Sequence, residues 1–400
     1  MRIGIMLREL DARGGVSVYA ENMTRELLAI DRRNTYVLFY RSAEHVGRFG
    51  RYPNVTERVV EAPAALPLSQ GKYSVNLWDP IWDQLQIPLA CLRERIDVLF
   101  HPKFTVPLLA PCKTVMVVHG ADWFVPEQAK FYGDFDVRQI RAVMPWYFRK
   151  ASLVLSVSRL TTENFIAALG TAPEKIRTVY FGPAKHFRPV QDAAELARVR
   201  ERYGLPERFI LTLSKYGGGG RKNFGNLVEA YRLHRERHAD GPALVVGGRG
   251  CEGFRADYGI PHEGYGADVL FPGWIDQADL PAVLSQALLY LYPSNLEAFP
   301  IPLTEAMTCG TPVVTSDVNG LEEIAGDAGL RVDPEDPAAI AAAIGRVVAD
   351  PGLRSELSRR GIERARRFTW QRCGRETLEL LEAVGRSDRR GLASCASDAA

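Results

Sequence analysis

Near its start the chain changes hydrophobic period twice. Ile3 to Leu7 is a short unbroken apolar run, the pattern of a buried strand. Val16, Ala20, Met23, Leu27 and Ile30 then fall on one helical face, and Tyr36 to Tyr40 is apolar again. Between the first run and the helix lies Arg13-Gly14-Gly15. The same grammar returns further along: a strand from Phe209 to Ser214, a loop from Lys215 to Arg221 with four consecutive glycines, a helix from about Asn223 to His234, and a strand from Ala243 to Gly247. Two strand, glycine-loop, helix, strand units predict an α/β protein of two Rossmann-like, doubly wound domains. No solenoid-type repeat is present at residue level.

Further strands are predicted at Val98 to Phe100, Thr114 to Val118 and Leu153 to Val157. Tyr180-Phe181-Gly182-Pro183 through Arg188-Pro189-Val190 punctuates the chain, and Ala193 to Tyr203 reads as a charged linker helix stopped by Gly204. The expected organisation is a first domain over 1–188, a second over 189–369, a terminal helix over about 370–386 packing back on the first, and a disordered tail at 387–400.

Composition narrows the function. Four hundred residues, 46% hydrophobic and 24% charged, are too many for one ordinary core and too apolar for disorder. Fifty Lys and Arg against 48 Asp and Glu leave a charge of +2, which excludes a broad polyanion-binding surface and so nucleic acid as a partner. An anion site must be local. The six Cys are scattered without a CxxC pair, the amino terminus reaches Arg8 and Glu9 too early for a signal peptide, and no apolar run approaches the roughly 20 residues of a membrane span. A cytoplasmic protein is expected.

Glycine loops between a strand and a helix let backbone N–H groups approach an anion at the positive end of the helix. Arg13-Gly14-Gly15 is equally compatible with a plain strand-to-helix turn. Gly217 to Gly220 followed by Arg221-Lys222-Asn223 is more informative, because two adjacent cations at a helix start suit the two charges of a diphosphate. Neither loop is a GxxxxGK[ST] motif. In the segment Ser294 to Ser316, Pro302 suits the opening of a short helix and Gly310 its end, so Glu305 lies early on that helix and Glu297 in the loop before it. The two carboxylates either complement the helix dipole or bind hydroxyl groups.

Glu297-x7-Glu305 in this setting resembles the signature of retaining glycosyltransferases of family 4, in a mannosyltransferase-like group. The likeness runs through nearly the whole chain: Gly14-Gly15, Val117-Val118-His119, Ala151 to Ser158, Arg221-Lys222-Asn223, Gly273, Pro293-Ser294, the Glu pair and Phe368-Thr369-Trp370 fall in the family's order. The resemblance implies the GT-B fold, two Rossmann-like domains facing across a cleft, with acceptor on the first and nucleotide sugar on the second. It implies that Arg221 and Lys222 hold the donor diphosphate, Glu305 the nucleotide ribose and Glu297 the donor sugar, with His119 facing that sugar. Gly14, Gly15, Phe299 and Ile301 complete the donor-binding set. No metal and no cofactor is implied; the donor is a co-substrate.

Trp82-Asp83-Gln84 to Pro88, with Asp97 to His101, is similar to the branch that builds bacterial surface polysaccharides, making GDP-mannose the first expected donor. UDP-glucose stays open. The acceptor is expected to be a saccharide or lipid-linked saccharide, with peripheral membrane association through a helix around Trp78 and Trp82 as a further expectation beside plain core packing. The sequence departs from the family where Ala298 and Pro300 flank Phe299, since Pro300 has no N–H, and where Gly120 follows His119, with the acid delayed to Asp122. Asp134-Phe135-Asp136 is taken as a solvated loop and not a metal motif, and the Arg run from Arg359 to Arg367 as a solvated helix face. The competing functions are a nucleotide-sugar epimerase and a non-catalytic two-domain sugar-binding protein.

Overall fold

The computed structural model describes residues 1–11, 14–61, 81–214 and 220–387. Arg13, Gly217 to Gly219, Trp78 and the tail beyond Ser387, all named above, lie outside the described residues. The chain forms two compact units, one from Met1 to Phe181 together with the segment from Trp370 onward, the other from Gly182 to Thr369.

The first unit runs β1 (Arg2–Met6), α1 (Gly15–Ile30), β2 (Thr35–Tyr40), β3 (Val55–Val59), α2 (Ile87–Arg93), β4 (Val98–His101), β5 (Lys113–Val118), α3 (Asp134–Lys150), β6 (Leu153–Ser156), α4 (Arg159–Leu169) and β7 (Ile176–Thr178). Its strands form one parallel sheet in the order β3-β2-β1-β4-β5-β6-β7. A parallel sheet is covered on both faces, which is why β1, β2 and β5 read as unbroken apolar runs. On α1 the buried face is carried by Tyr19, Ala20, Met23 and Leu27, whereas Ile30, expected on it, is 42% exposed. The terminal helix Trp370–Arg386 lies against α1 so closely that a Cβ on Gly374 would stand 2.9 Å from Cβ of Glu26.

The second unit contains α5 (Ala193–Tyr203), β8 (Phe209–Leu213), α6 (Phe224–Arg237), β9 (Ala243–Gly247), β10 (Val269–Gly273), β11 (Leu289–Tyr292), α7 (Ile301–Thr308), β12 (Val313–Ser316), α8 (Asn319–Ala325), β13 (Gly329–Val332), α9 (Pro337–Ala349) and α10 (Pro351–Ala365). Its sheet is parallel in the order β10-β9-β8-β11-β12-β13. In both sheets the strand order reverses beside the first strand of the unit, between β1 and β4 and between β8 and β11. Such a switch point leaves a crevice at the carboxyl ends of the strands, where α/β proteins bind ligands.

The unit boundary falls a few residues before the one read from the sequence. His186 Nε2 bonds the Gln277 carbonyl at 2.9 Å and the Val190 N–H donates to Ser285 Oγ at 2.9 Å, tying the Pro-rich segment to the second unit. A Cβ on Gly182 would meet the Phe368 carbonyl oxygen at 2.0 Å, so only glycine fits at that crossing. Helix α5 is no free linker, since Arg198 and Arg202 bond the Asp279 carboxylate at 2.7 and 2.6 Å. Asp134-Phe135-Asp136 forms the first turn of α3 instead of a loop. Trp82 is fully buried and its indole N–H donates to the Val60 carbonyl at 2.6 Å, which makes it a core residue and removes it from any membrane face.

Candidate functional site

At the switch point of the second unit the chain enters α6 through the turn Gly220–Lys222. Asn223 makes that entry, at φ 54° and ψ 38°, a left-handed conformation that asparagine tolerates better than most residues. Its side-chain amide donates to the carbonyls of Pro293 at 3.0 Å and Pro334 at 2.6 Å. The Arg221 carbonyl is gripped from β11's end by the Asn295 N–H at 2.9 Å and the Ser294 hydroxyl at 3.0 Å. The backbone carrying Arg221 and Lys222 is therefore fixed to the loop carrying Glu297.

Lys222 Nζ donates to Glu297 Oε1 at 2.5 Å and also to the Tyr292 hydroxyl. Tyr292 in turn donates to the same Oε1 at 3.0 Å, and the Ser294 hydroxyl reaches it at 3.2 Å. Lys222 and Tyr292 donate to this one oxygen, with the Ser294 hydroxyl close by, and Oε2 has no partner among the described residues. Burial works against the Glu297 charge, but Lys222 and Arg221 outweigh it and hold the carboxyl below its ordinary range. Burial and the Glu297 charge push the Tyr292 hydroxyl far up, so it stays a donor.

The loop itself is pinned from α8. The Gly320 N–H donates to the Glu297 carbonyl at 2.9 Å, and Asn319, at φ 57°, donates through its side chain to the Asn295 carbonyl at 2.8 Å. Phe299 packs its ring edge-on to Phe368, centroids 5.8 Å apart. Pro300 then opens α7, where Pro302 has no N–H and Ile301 supplies the first helical amide.

Glu305 is the fifth residue of α7, beyond the first turn, where the dipole offers it little. It is 9% exposed and has no hydrogen-bond or ion-pair partner among the described residues, and burial pushes its carboxyl up to about 8. Its charge also acts on Tyr292, so the two glutamates share one neighbourhood. With Glu297 outside the helix and Glu305 past its first turn, the dipole explanation of the pair loses its geometric basis. Two acceptor groups, one ionised and lacking a partner on Oε2, the other buried and unpaired, are what hydroxyl recognition needs.

The remaining site residues belong to the first unit. Gly14 and Gly15 open α1 on the surface, with open space around a Cβ at either position and no side-chain cap on the helix. His119 follows β5. Its Nε2 stands 2.9 Å from the Pro102 carbonyl, which only accepts, so Nε2 carries the hydrogen and Nδ1 keeps its lone pair. Burial pushes the ring down to about 4, and the ring lies edge-on to Tyr19 at 4.8 Å. A neutral His119 thus presents Nδ1 as an acceptor. Asp122, the delayed acid, accepts from the Tyr132 hydroxyl at 2.5 Å. Sequence reasoning did not single out Tyr292, because the strand it ends, β11, was itself not recognised and no motif marks the residue.

Comparison with known proteins agrees with this layout. A family model described as Glycosyltransferase Family 4 matches residues 13–182, and one described as Glycosyl transferases group 1 matches residues 197–367. O-antigen chain mannosyltransferase B of Escherichia coli is 30% identical over 303 residues, covering 73% of this chain and 76% of that protein. Serotype-specific mannosyltransferase WbdA of Escherichia coli is 24% identical over 292 residues, 70% of this chain, which spans only 35% of that longer protein. Among solved structures, a sucrose-phosphate synthase from Thermosynechococcus elongatus superposes with TM-score 0.73 at 22% identity, covering 96% of this chain and 98% of that one. Anabaena Alr3699/HepE in complex with UDP gives TM-score 0.71 at 18% identity, covering 96% and 99%. The structural likeness carries the fold and the sequence likeness the family: the chain is a glycosyltransferase of family 4, built on the two-domain GT-B fold.

Proposed function

We propose that this glycosyltransferase moves a hexose, in the first instance mannose from GDP-mannose, to a saccharide or lipid-linked saccharide in polysaccharide or glycoconjugate synthesis, with retention of configuration and no metal. The observation that carries the proposal is the Lys222, Tyr292 and Glu297 cluster, with Oε2 of Glu297 and the whole Glu305 carboxyl left for a ligand. Arg221 and Lys222 meet the diphosphate, Glu297 Oε2 accepts from a hydroxyl of the donor sugar, and Glu305 accepts from the ribose. His119 accepts from a substrate hydroxyl through Nδ1. The amides at Gly14, Gly15, Phe299 and Ile301 supply neutral donors to phosphate oxygens.

Breaking the sugar–phosphate bond gathers negative charge on the leaving diphosphate, and prepositioned cations lower that barrier without reorganising. In the front-face course the leaving phosphate oxygen takes the proton of the acceptor hydroxyl that attacks the same face. A covalent course would need Glu297 as nucleophile; the donors on Oε1 and the flanking cations make its carboxylate a poor one. The mannosyl assignment rests on the names of the relatives at 30% and 24% identity. A lipid-linked acceptor is favoured by Leu85, Leu89 and Leu92, each more than half exposed on the first unit, which also supports a peripheral position at the cytoplasmic face of a membrane.

The test is a donor panel of GDP-mannose, UDP-glucose and related nucleotide sugars, with and without saccharide and polyprenyl-linked acceptors, in chelator. Nucleotide release that needs an acceptor, with an axial anomeric product by NMR, is expected. Conversion of the nucleotide sugar without acceptor would instead make the protein an epimerase, and binding of free sugar but no nucleotide would make it a sugar-binding protein.

A further inference from the structure

The switch point of the first unit holds a cluster that the reaction described above does not use. β1 ends into Leu7-Arg8-Glu9, and β4, its neighbour in the sheet, ends at His101. Arg8, Glu9, Asp83 and His101 are each less than a tenth exposed. Glu9 Oε2 lies 3.0 Å from His101 Nε2, while Arg8 Nε and Lys103 Nζ stand 3.3 and 3.5 Å from Glu9 Oε1. Arg8 Nη2 reaches Asp83 Oδ2 at 3.1 Å. Burial opposes the Glu9 charge, and His101, Arg8 and Lys103 overcome it, holding the carboxyl well below the carboxylate range.

Burying so many charges is seldom the most stabilising choice, since packed apolar side chains do as well or better. Their geometry shows what they control. His101 Nδ1 donates to the Thr105 carbonyl at 2.7 Å and lies 2.9 Å from the Thr105 hydroxyl, closing the turn 101–105 on itself. The Thr105 hydroxyl donates to Asp83 Oδ2 at 2.9 Å. One end of the turn is thereby tied to Glu9 and the other to Asp83. Between them sits Pro102, whose carbonyl receives the Nε2 hydrogen of His119.

We propose that Glu9, His101 and, through Thr105, Asp83 are positioning residues that fix the Pro102 carbonyl and so set the tautomer and ring direction of His119. With that carbonyl held, Nε2 keeps the hydrogen and Nδ1 stays a bare acceptor. With the turn loosened, the ring is free to exchange its two nitrogens and present a donor where the substrate hydroxyl needs an acceptor. The inference rests on the reading that His119 touches substrate.

A double-mutant cycle separates the two. Glu9→Ala is expected to lower kcat/KM about tenfold to a hundredfold, the effect of misplacing a reacting group by about 1 Å. Glu9→Gln, whose amide can bond His101 in either ring form, is expected to recover most of that loss. In the His119→Ala background Glu9→Ala should change kcat/KM by no more than about twofold, because the route through His119 is already gone. Equal losses in both backgrounds would overturn the positioning role. Near wild-type kinetics for His119→Ala alone would instead overturn the substrate contact of His119. Where Glu9→Ala does not fold, Thr105→Val takes its place in the cycle. Histidine 15N spectra give a second readout: one fixed Nε2–H tautomer for His119 in the wild type, and exchange-averaged ring shifts in the loosened variant. An unchanged fixed tautomer in a folded, loosened variant would also overturn the role.

Discussion

At the scale of single residues, the two glutamates of the second unit have opposite electrostatic settings. Glu297 is ionised because Lys222 and Arg221 sit beside it, whereas Glu305 has only burial, which pushes its carboxyl up to about 8. The pH consequence has a definite sign. Below pH 4.5 Glu305 is protonated in folded and unfolded chains alike and does not affect stability. As pH rises from there towards about 8, the unfolded chain releases the proton and the folded chain keeps it, so stability falls through that window and levels off above it. Glu305→Gln should therefore be more stable than wild type by roughly 3–5 kcal/mol in denaturant unfolding at pH 8, and match it near pH 4. A difference that does not vary with pH would show that Glu305 is not held protonated. Ribose hydroxyls bond a carboxylate better than a carboxylic acid, so affinity for a nucleoside diphosphate should rise from pH 7 to 9 in the wild type and stay flat in the variant. The measurement is a calorimetric titration at each pH. The same cluster predicts an exchange of partners on donor binding, because the Lys222 ammonium that neutralises Glu297 is the one proposed to meet phosphate.

Elements set these side chains by tying loops to one another, and α8 is the clearest case. A Cβ on Gly320 would stand 2.4 Å from the Ala298 carbonyl oxygen and 2.5 Å from that of Glu297. These are backbone atoms, which cannot swing aside. Gly320→Ala should move the Glu297 loop, with a loss of about 1–3 kcal/mol of stability, the usual result of overpacking, and a larger loss of turnover than of folding. Thermal unfolding beside kcat measures both, and a fully active, equally stable variant would show that the loop has other room. How much of this could be read from sequence depended on where an element sits. β1, β2, β4, β5, β6, β8 and β9 are covered on both faces or nearly so, and their apolar runs are plain in the sequence. The strands at the sheet edges, β3, β7, β10 and β13, passed unrecognised, because an edge strand is half exposed and Val55 to Val59 accordingly carries Thr, Glu and Arg. β11 was hidden for a different reason: the apolar helix Leu280–Gln286 runs almost straight into it, with no change of composition to mark the join. The donor-side residues were legible because Arg221-Lys222 and Glu297-x7-Glu305 are compact motifs. The Glu9, Asp83 and His101 cluster was not, since it is assembled from segments far apart in the chain and each residue alone looks like an ordinary polar position after a strand or on a helix.

For the molecule as a whole, the question is how it would meet an acceptor carried on a lipid. Among the described residues no helix is long and apolar enough to cross a membrane. The first unit instead leaves Leu85, Leu89 and Leu92 more than half exposed at helical spacing, with Leu109 72% exposed beside them. These are one surface and not scattered positions. Gln84 accepts from the Leu108 N–H at 2.7 Å and donates to the Val106 carbonyl at 3.1 Å, and Lys150 donates to the Ala110 carbonyl at 2.8 Å. Lys150 has Arg149 as its chain neighbour, which lies over the exposed Trp146 ring at 5.3 Å, and Arg93 and Arg95 are exposed next to Leu92 in the chain. Exposed leucines together with an exposed indole and basic side chains are the composition of a face that lies in an anionic lipid interface. Leu89 and Leu92 are about half exposed, so sinking them into acyl chains contributes about 1.5–3 kcal/mol, which adds to the attraction between basic side chains and anionic headgroups and does not act alone. The protein should therefore sediment with vesicles rich in phosphatidylglycerol, less with phosphatidylcholine alone, and less again at high salt. The pair Leu89→Ser and Leu92→Ser should release it while leaving turnover on a water-soluble saccharide acceptor intact. Retained vesicle binding in that variant would place the membrane contact elsewhere, and concentration-dependent dimers of the wild type, abolished by the same pair, would assign the leucines to a second copy of the chain. If the expected outcome holds, the selectivity for lipid-linked acceptors comes partly from where the enzyme resides, since a surface-bound enzyme and a surface-bound acceptor meet in two dimensions before any sugar is recognised.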